Sequence, residues 1–98
     1  MTDVKTIYSK PGGRFIISLP SNPSTGYHWQ IDKQSSGLRL VSTINQSNSK
    51  LIGASSETHW LWRVSSQAYK NQHLKYSLYA PGNQYNPVEV HHFKIILE

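Results

Sequence analysis

Five histidines and five carboxylates are the groups of this 98-residue chain best suited to moving protons or holding a metal, and their spacing supports neither. His28, His59 and His73 are far apart in sequence and sit beside residues expected in a core. His91 and His92 are adjacent on an expected strand, so their side chains leave opposite faces and cannot grip one ion together. Asp3, Asp32, Glu57, Glu89 and Glu98 offer no close pair for acid–base work. The serines sit in no Gly-x-Ser-x-Gly turn and form no distinguishable group with His and Asp. With no cysteine there is neither a thiolate nor a disulfide. No Gly-rich phosphate cradle joins a strand to a helix, because no helix is patterned. The expectation is a protein with no metal, no cofactor and no catalytic activity.

What remains is recognition by loops. Leu19-Pro20-Ser21-Asn22-Pro23-Ser24-Thr25-Gly26-Tyr27-His28-Trp29 is a small-residue turn between two alternating segments. Asn22 precedes a proline and is pushed toward extended geometry, Pro23 fixes its own φ, and Gly26 permits φ values closed to other residues. Phe15, Ile17 and Leu19 alternate with Ile16 and Ser18 before the turn; Tyr27, Trp29 and Ile31 alternate with His28 and Gln30 after it. That is the period of half-buried strands.

The same period recurs along the chain. A ragged start near Val4 to Tyr8 leads to a turn at Lys10 to Gly13, then strands near Arg14 to Leu19, Tyr27 to Ile31 and Leu38 to Ile44. Asn45 to Ser49 is a polar loop, Leu51 and Ile52 a short apolar segment, and Gly53 to Thr58 a second small-residue loop. Trp60, Trp62 and Val64 share a face; Leu74, Tyr76 and Leu78 mark the next strand; Ala80 to Pro87 form a third loop; Phe93, Ile95 and Leu97 end the chain. Many short strands in about 100 residues fit one all-β domain, residues 1–98, built as an immunoglobulin-like antiparallel sandwich with Greek-key topology, a barrel being the competitor. Trp29 and Trp60 are expected in its core and Trp62 at an edge. In such a sandwich alternate connections gather at one end, so the three loops form a binding edge.

A formal charge of +5 and three Trp with six Tyr invite a nucleic-acid reading. The ten basic residues are scattered singly, with no run to track a phosphate backbone, which argues against it. No stretch reaches the roughly 20 apolar residues of a membrane span. Met1-Thr2-Asp3-Val4-Lys5 carries no apolar export segment, so the expectation is a domain kept inside the cell or one that begins after a removed signal.

Leu19 to Tyr27 with Trp29 resembles the Asn-Pro-Thr-Thr-Gly-aromatic motif of the chagasin family of cysteine-peptidase inhibitors. Ser49 to His59 is similar to the segment carrying that family's Gly-x-Gly-Gly loop, and Leu78-Tyr79 through Phe93-Lys94-Ile95 to its final loop and strand. The resemblance implies a monomeric immunoglobulin-like domain that blocks papain-like cysteine peptidases without covalent bonding, by inserting three loops into the catalytic cleft. Its implied contacts are Asn22, Pro23, Ser24, Thr25, Gly26 and Tyr27; Gly53, Ala54, Ser55 and Ser56; and Pro81, Gly82, Asn83 and Tyr85. Ser24 stands where the family usually has Thr, keeping the hydroxyl and losing a methyl.

Two departures bear on strength. Gly53-Ala54-Ser55-Ser56 replaces Gly-x-Gly-Gly, adding side chains where an extended pairing with the peptidase is implied. The family's Arg-Pro-Trp is missing: an ungapped reading puts Pro81-Gly82-Asn83 there, and a one-residue shift puts Ala80-Pro81-Gly82. An aromatic anchor is often worth roughly 2 kcal/mol, or about 30-fold in affinity, and Tyr85 is the nearby candidate for a substitute ring. The competing reading is an immunoglobulin-like module for another protein or a glycan, its inhibition weakened or lost. A Tyr85 packed into the core would favour that alternative.

Overall fold

A computed structural model describes residues 2–47 and 56–98. Among the described residues, seven strands, β1 (Thr2–Ser9), β2 (Arg14–Ser21), β3 (His28–Gln34), β4 (Leu38–Ser47), β5 (Ser56–Val64), β6 (Gln72–Tyr79) and β7 (Glu89–Leu97), form two sheets. One is ordered β1-β7-β6-β3, the other β2-β5-β4, and they pack as the expected all-β sandwich. The β1–β7 pairing is parallel; the other pairings among the described residues are antiparallel.

The clearest alternation builds the core. In β2, Phe15, Ile17 and Leu19 are buried while Arg14, Ile16, Ser18 and Pro20 are exposed. Opposite them in β5, Trp60, Trp62 and Val64 are buried, and Leu74, Tyr76, Phe93 and Ile95 of the facing sheet close the interior. Trp60 meets Tyr76 edge-on at 4.6 Å between ring centroids, and Tyr76 meets Phe93 the same way at 5.6 Å. Such tilted pairs suit the ring quadrupoles.

Trp62 corrects the expectation that placed it at an edge. β5 is the middle strand of its sheet, hydrogen-bonded to β2 on one side and β4 on the other, and Trp62 is 0% exposed. Its Nε1–H donates to the Tyr76 hydroxyl at 2.8 Å, which gives a buried indole the acceptor it requires. Burial pushes the Tyr76 phenol well above its ordinary pKa, with the Trp62 hydrogen bond a smaller opposing effect, so the hydroxyl stays neutral.

β1 runs the whole way from Thr2 to Ser9 beside β7 rather than as a ragged segment. Its pattern is weak because Ile7 alone among its apolar residues packs on the core, while Val4 and Tyr8 are exposed. The backbone ladder to β7 holds it, and such a ladder leaves little trace in hydrophobic periodicity. β6 departs from alternation as well. Ser77 and Tyr79 are buried on the outward face, and the Tyr79 hydroxyl donates to Asp32 Oδ2 on β3 at 3.0 Å.

Candidate functional site

The first loop leaves β2 after Ser21, makes a 3₁₀ turn at Pro23–Thr25 and re-enters the sandwich at His28. Asn22 organises it. Its carbonyl accepts the Thr25 N–H at 3.1 Å and the Thr25 hydroxyl at 2.7 Å, while its Oδ1 accepts the Ser24 hydroxyl at 2.8 Å. Gly26 follows with φ 82°, the left-handed region that a side chain makes costly. Across the base of the loop, Trp29 Nε1–H donates to the Pro20 carbonyl at 2.8 Å and ties the departing strand to the returning one. Ser24, Thr25 and Gly26 are exposed at the tip.

The third loop is built on a different asparagine. Asn83 N–H closes a turn on the Ala80 carbonyl at 3.1 Å, with Pro81 second and Gly82 third at φ 75°, the residue order a type II turn requires. Asn83 Oδ1 then accepts the N–H groups of Tyr85 and Asn86, each at 3.2 Å. Tyr85 is 90% exposed and does not enter the core.

These two loops touch. A Cβ placed on Gly26 would come within 2.8 Å of Pro81 Cγ and 3.3 Å of Pro81 Cβ, so the glycine backbone is pressed against the third loop. Glycine is required here twice, by its φ and by its neighbour.

Of the second loop, Gly53, Ala54 and Ser55 lie outside the described residues, and so do Leu51 and Ile52. Its flanking residues are in register, Ser47 opposite Ser56, and Ser56 also pairs with Ser21. Ser56 Oγ donates to the Ser21 carbonyl at 2.7 Å, and the two serine hydroxyls are 3.2 Å apart. The root of the second loop is therefore bonded to the root of the first. Ser56, Glu57 and Thr58 belong to β5 and not to the loop expected through Thr58. Polar residues continue that strand because they pair across it: Thr58 Oγ1 donates to Asn45 Oδ1 at 2.6 Å.

A groove of about 380 Å³ opens beside the first loop, lined by Pro20, Ser21, Asn22, Thr25, Tyr27, Trp29, Leu78 and Glu89. Behind it, Trp29 meets His91 edge-on at 5.3 Å between centroids. His91 Nε2 lies 3.4 Å from Glu89 Oε2 and Nδ1 lies 3.6 Å from Asp3 Oδ2. The two acids approach different nitrogens of the ring, so the three groups do not converge on one point. Among the described residues, no group of three or more His, Asp or Glu is placed to hold a metal ion. Sequence reading did not find the Trp29–Pro20 tie or the Gly26–Pro81 contact. A tryptophan just past a tight loop was a usable signal for the first; no local signal marks the second.

Among the described residues, the loop tips offer shaped backbone and hydroxyls already bonded internally. A serine–histidine contact, Ser18 Oγ to His59 Nδ1 at 2.6 Å with Glu57 Oε2 3.7 Å from His59 Nε2, lies on the exposed face of β2 and β5 and not at those tips. Residues 9–95 match the sequence pattern described as chagasin family peptidase inhibitor I42. The chain belongs to the chagasin family. The proteins of this family are peptidase inhibitors and not enzymes. Among solved structures, the chagasin-family fold seen here is similar to the crystal structure of the cysteine protease inhibitor EhICP2 from Entamoeba histolytica, with a TM-score of 0.78 at 16% identity over 99% of this chain and 96% of that one. It is also similar to the solution structure of amebosin, with a TM-score of 0.66 at 17% identity over 98% of each chain. At such identities these two likenesses speak for the immunoglobulin-like sandwich itself. No curated protein matches the chain in sequence.

Proposed function

We propose that this chagasin-family domain is a reversible, non-covalent inhibitor of papain-like cysteine peptidases that seats its loop edge in the catalytic cleft as a monomer. The observation that carries the reading is the contact of Gly26 with Pro81, which joins the first and third loops into one surface before any partner arrives. Preorganisation lowers the conformational entropy lost on binding. Asn22 holds the Ser24 and Thr25 hydroxyls inward, so a narrow backbone wedge of Ser24, Thr25 and Gly26 enters at the catalytic centre. Pro81, Gly82, Asn83 and Tyr85 meet one wall of the cleft; Gly53, Ala54, Ser55 and Ser56 meet the other. The solvent position of Tyr85 supports its use as the aromatic contact of the third loop.

Hydrolysis of a fluorogenic peptide by papain, titrated with the domain, tests the reading. Competitive inhibition with slow or fast reversal on dilution is expected. A folded domain that leaves papain fully active at high micromolar concentration overturns it.

A further inference from the structure

On the outer face of the β2-β5-β4 sheet, three arginines stand side by side. Arg14 is directly opposite Arg63, and Arg63 is directly opposite Arg39. All three are exposed, as the neighbouring Phe15, Trp62 and Leu38 point into the core. Adjacent strands lie about 4.8 Å apart, so the three side chains leave the sheet within about 10 Å of one another. Like charges directly opposite across a ladder are destabilising. Among the described residues no carboxylate comes within 4.0 Å of any of them, since each ion pair found there involves a histidine. Among the described residues, this cationic row has no carboxylate paired with it.

The next position along the sheet is aliphatic. Ile16 is opposite Leu61. Ile16 is 59% exposed, and on β4 Val41 is 50% and Ile44 59% exposed. A shallow groove of about 260 Å³, lined by Arg39, Arg63 and the small residues Ser36, Gly37, Ser65 and Ser66, opens at the end of the row. Among the described residues, no Trp, Tyr or Phe projects from this face, which withholds the stacking platform that single-stranded nucleic acid uses. Guanidinium forks match carboxylates two bonds at a time, and aliphatic neighbours exclude water from such pairs.

We propose that this face docks a second protein, one that presents carboxylates interleaved with aliphatic side chains. Arg14 begins β2 and Ser21 ends it beside the loop edge, a separation of about 23 Å at the strand rise. The row therefore stays free when the loops occupy a peptidase, and the domain can hold both partners at once. The surface is independent of the inhibitory reading, because it uses none of the loop residues.

The test is a titration of the isotope-labelled domain with a blocked (Glu-Val)4 peptide at low salt, followed by backbone amide shifts. The expected result is saturable binding, with perturbations at Arg14, Ile16, Arg39, Ile44, Leu61 and Arg63 and none at Asn22 to Gly26. The combined Arg14→Gln, Arg39→Gln and Arg63→Gln variant should bind at least 10-fold more weakly and melt no lower than the parent. If that variant fails to fold, Arg39→Gln alone, on the edge strand, should weaken binding at least 2-fold. A (Lys-Val)4 peptide should not bind, and adding saturating papain should leave (Glu-Val)4 binding unchanged. The proposal is overturned by absent binding in the millimolar range, by perturbations centred elsewhere, or by equal affinity of the arginine variants. It is equally overturned if a heparin oligosaccharide binds this row while the acidic peptide does not.

Discussion

The first and third loops are both organised by an asparagine that accepts hydrogen bonds, and they differ in the donors it takes. Asn22 takes two hydroxyls, Ser24 on its side chain and Thr25 on its carbonyl, the latter together with the Thr25 N–H. Asn83 gathers backbone N–H groups, those of Tyr85 and Asn86, on its side-chain oxygen. In the first loop the polar side chains are consumed internally and the backbone forms the exposed tip. In the third, two of the backbone donors are satisfied and a ring, Tyr85, is left in solvent. One loop is built to fit a narrow space, the other to offer a side chain to a wall beside it. Their point of contact, Gly26 against Pro81, makes the two presentations a single edge.

Breaking that point should have the largest effect. Gly26→Val places a β-branched residue at φ 82° and drives its Cβ to within 2.8 Å of Pro81 Cγ, so both loops must move. The left-handed region costs a side-chain-bearing residue roughly 1–2 kcal/mol or more. With both walls of the edge displaced, inhibition of papain should weaken about 100-fold, a loss of ~2.7 kcal/mol. The core does not include this residue, so the circular-dichroism spectrum should still report a β-sandwich. An unchanged inhibition constant would show that the two loops need not act together.

Tyr85→Ala comes next and separates the two modes of presentation. The ring is 90% exposed, so its removal should leave the melting temperature unchanged within error. If the third loop binds through a side chain, inhibition should weaken about 10- to 30-fold, the range of an interface aromatic anchor. An effect below 2-fold would assign the third loop a backbone contact like that of the first.

The sandwich was readable from sequence where one strand face is buried throughout. Phe15, Ile17 and Leu19 in β2, and Trp60, Trp62 and Val64 in β5, declare their period because every second side chain meets the core. Position within the sheet was not readable. Trp62 looked like an edge residue because periodicity gives the face of a strand and not the identity of its neighbours. β1 was blurred for a related reason, its order coming from a parallel ladder to the far end of the chain. The first and third loops were bounded well by proline, glycine and small polar residues, yet Asn45 to Ser47 and Ser56 to Thr58 passed as loop although they pair with each other as the ends of β4 and β5, because their partners lie on other strands. The Gly26–Pro81 contact joins residues from two separate connections, and local sequence carries no record of it.

The asparagines themselves give the next, smaller pair of effects. Asn83→Ala releases two N–H groups from one acceptor and unlocks the segment bearing Tyr85. About 5-fold weaker inhibition is expected, since each neutral hydrogen bond contributes roughly 1 kcal/mol and water replaces part of it at an exposed site. Asn22→Ala removes the acceptor of the Ser24 hydroxyl and leaves the carbonyl that holds Thr25 in place, so about 3-fold is expected. Inhibition constants for the two variants, measured side by side, test the ordering. A larger loss for Asn22→Ala would mean that the Ser24 hydroxyl orients the wedge more than the Thr25 bonds do.

Trp29→Phe should have the smallest effect on inhibition, and it tests whether the first loop is held at its base or within itself. The substitution keeps a ring for His91 to meet edge-on and removes the Nε1–H that reaches the Pro20 carbonyl. That bond is solvent-accessible, so water can take over the carbonyl, and the expected loss of stability is about 0.5–1 kcal/mol. The bonds centred on Asn22 lie above the tie and do not depend on it. Inhibition should therefore change by less than about 2-fold while denaturant unfolding shifts measurably. A loop held only at its base would show the reverse, with inhibition falling further than stability, and Trp29 would then be as much a part of the wedge as the residues at its tip.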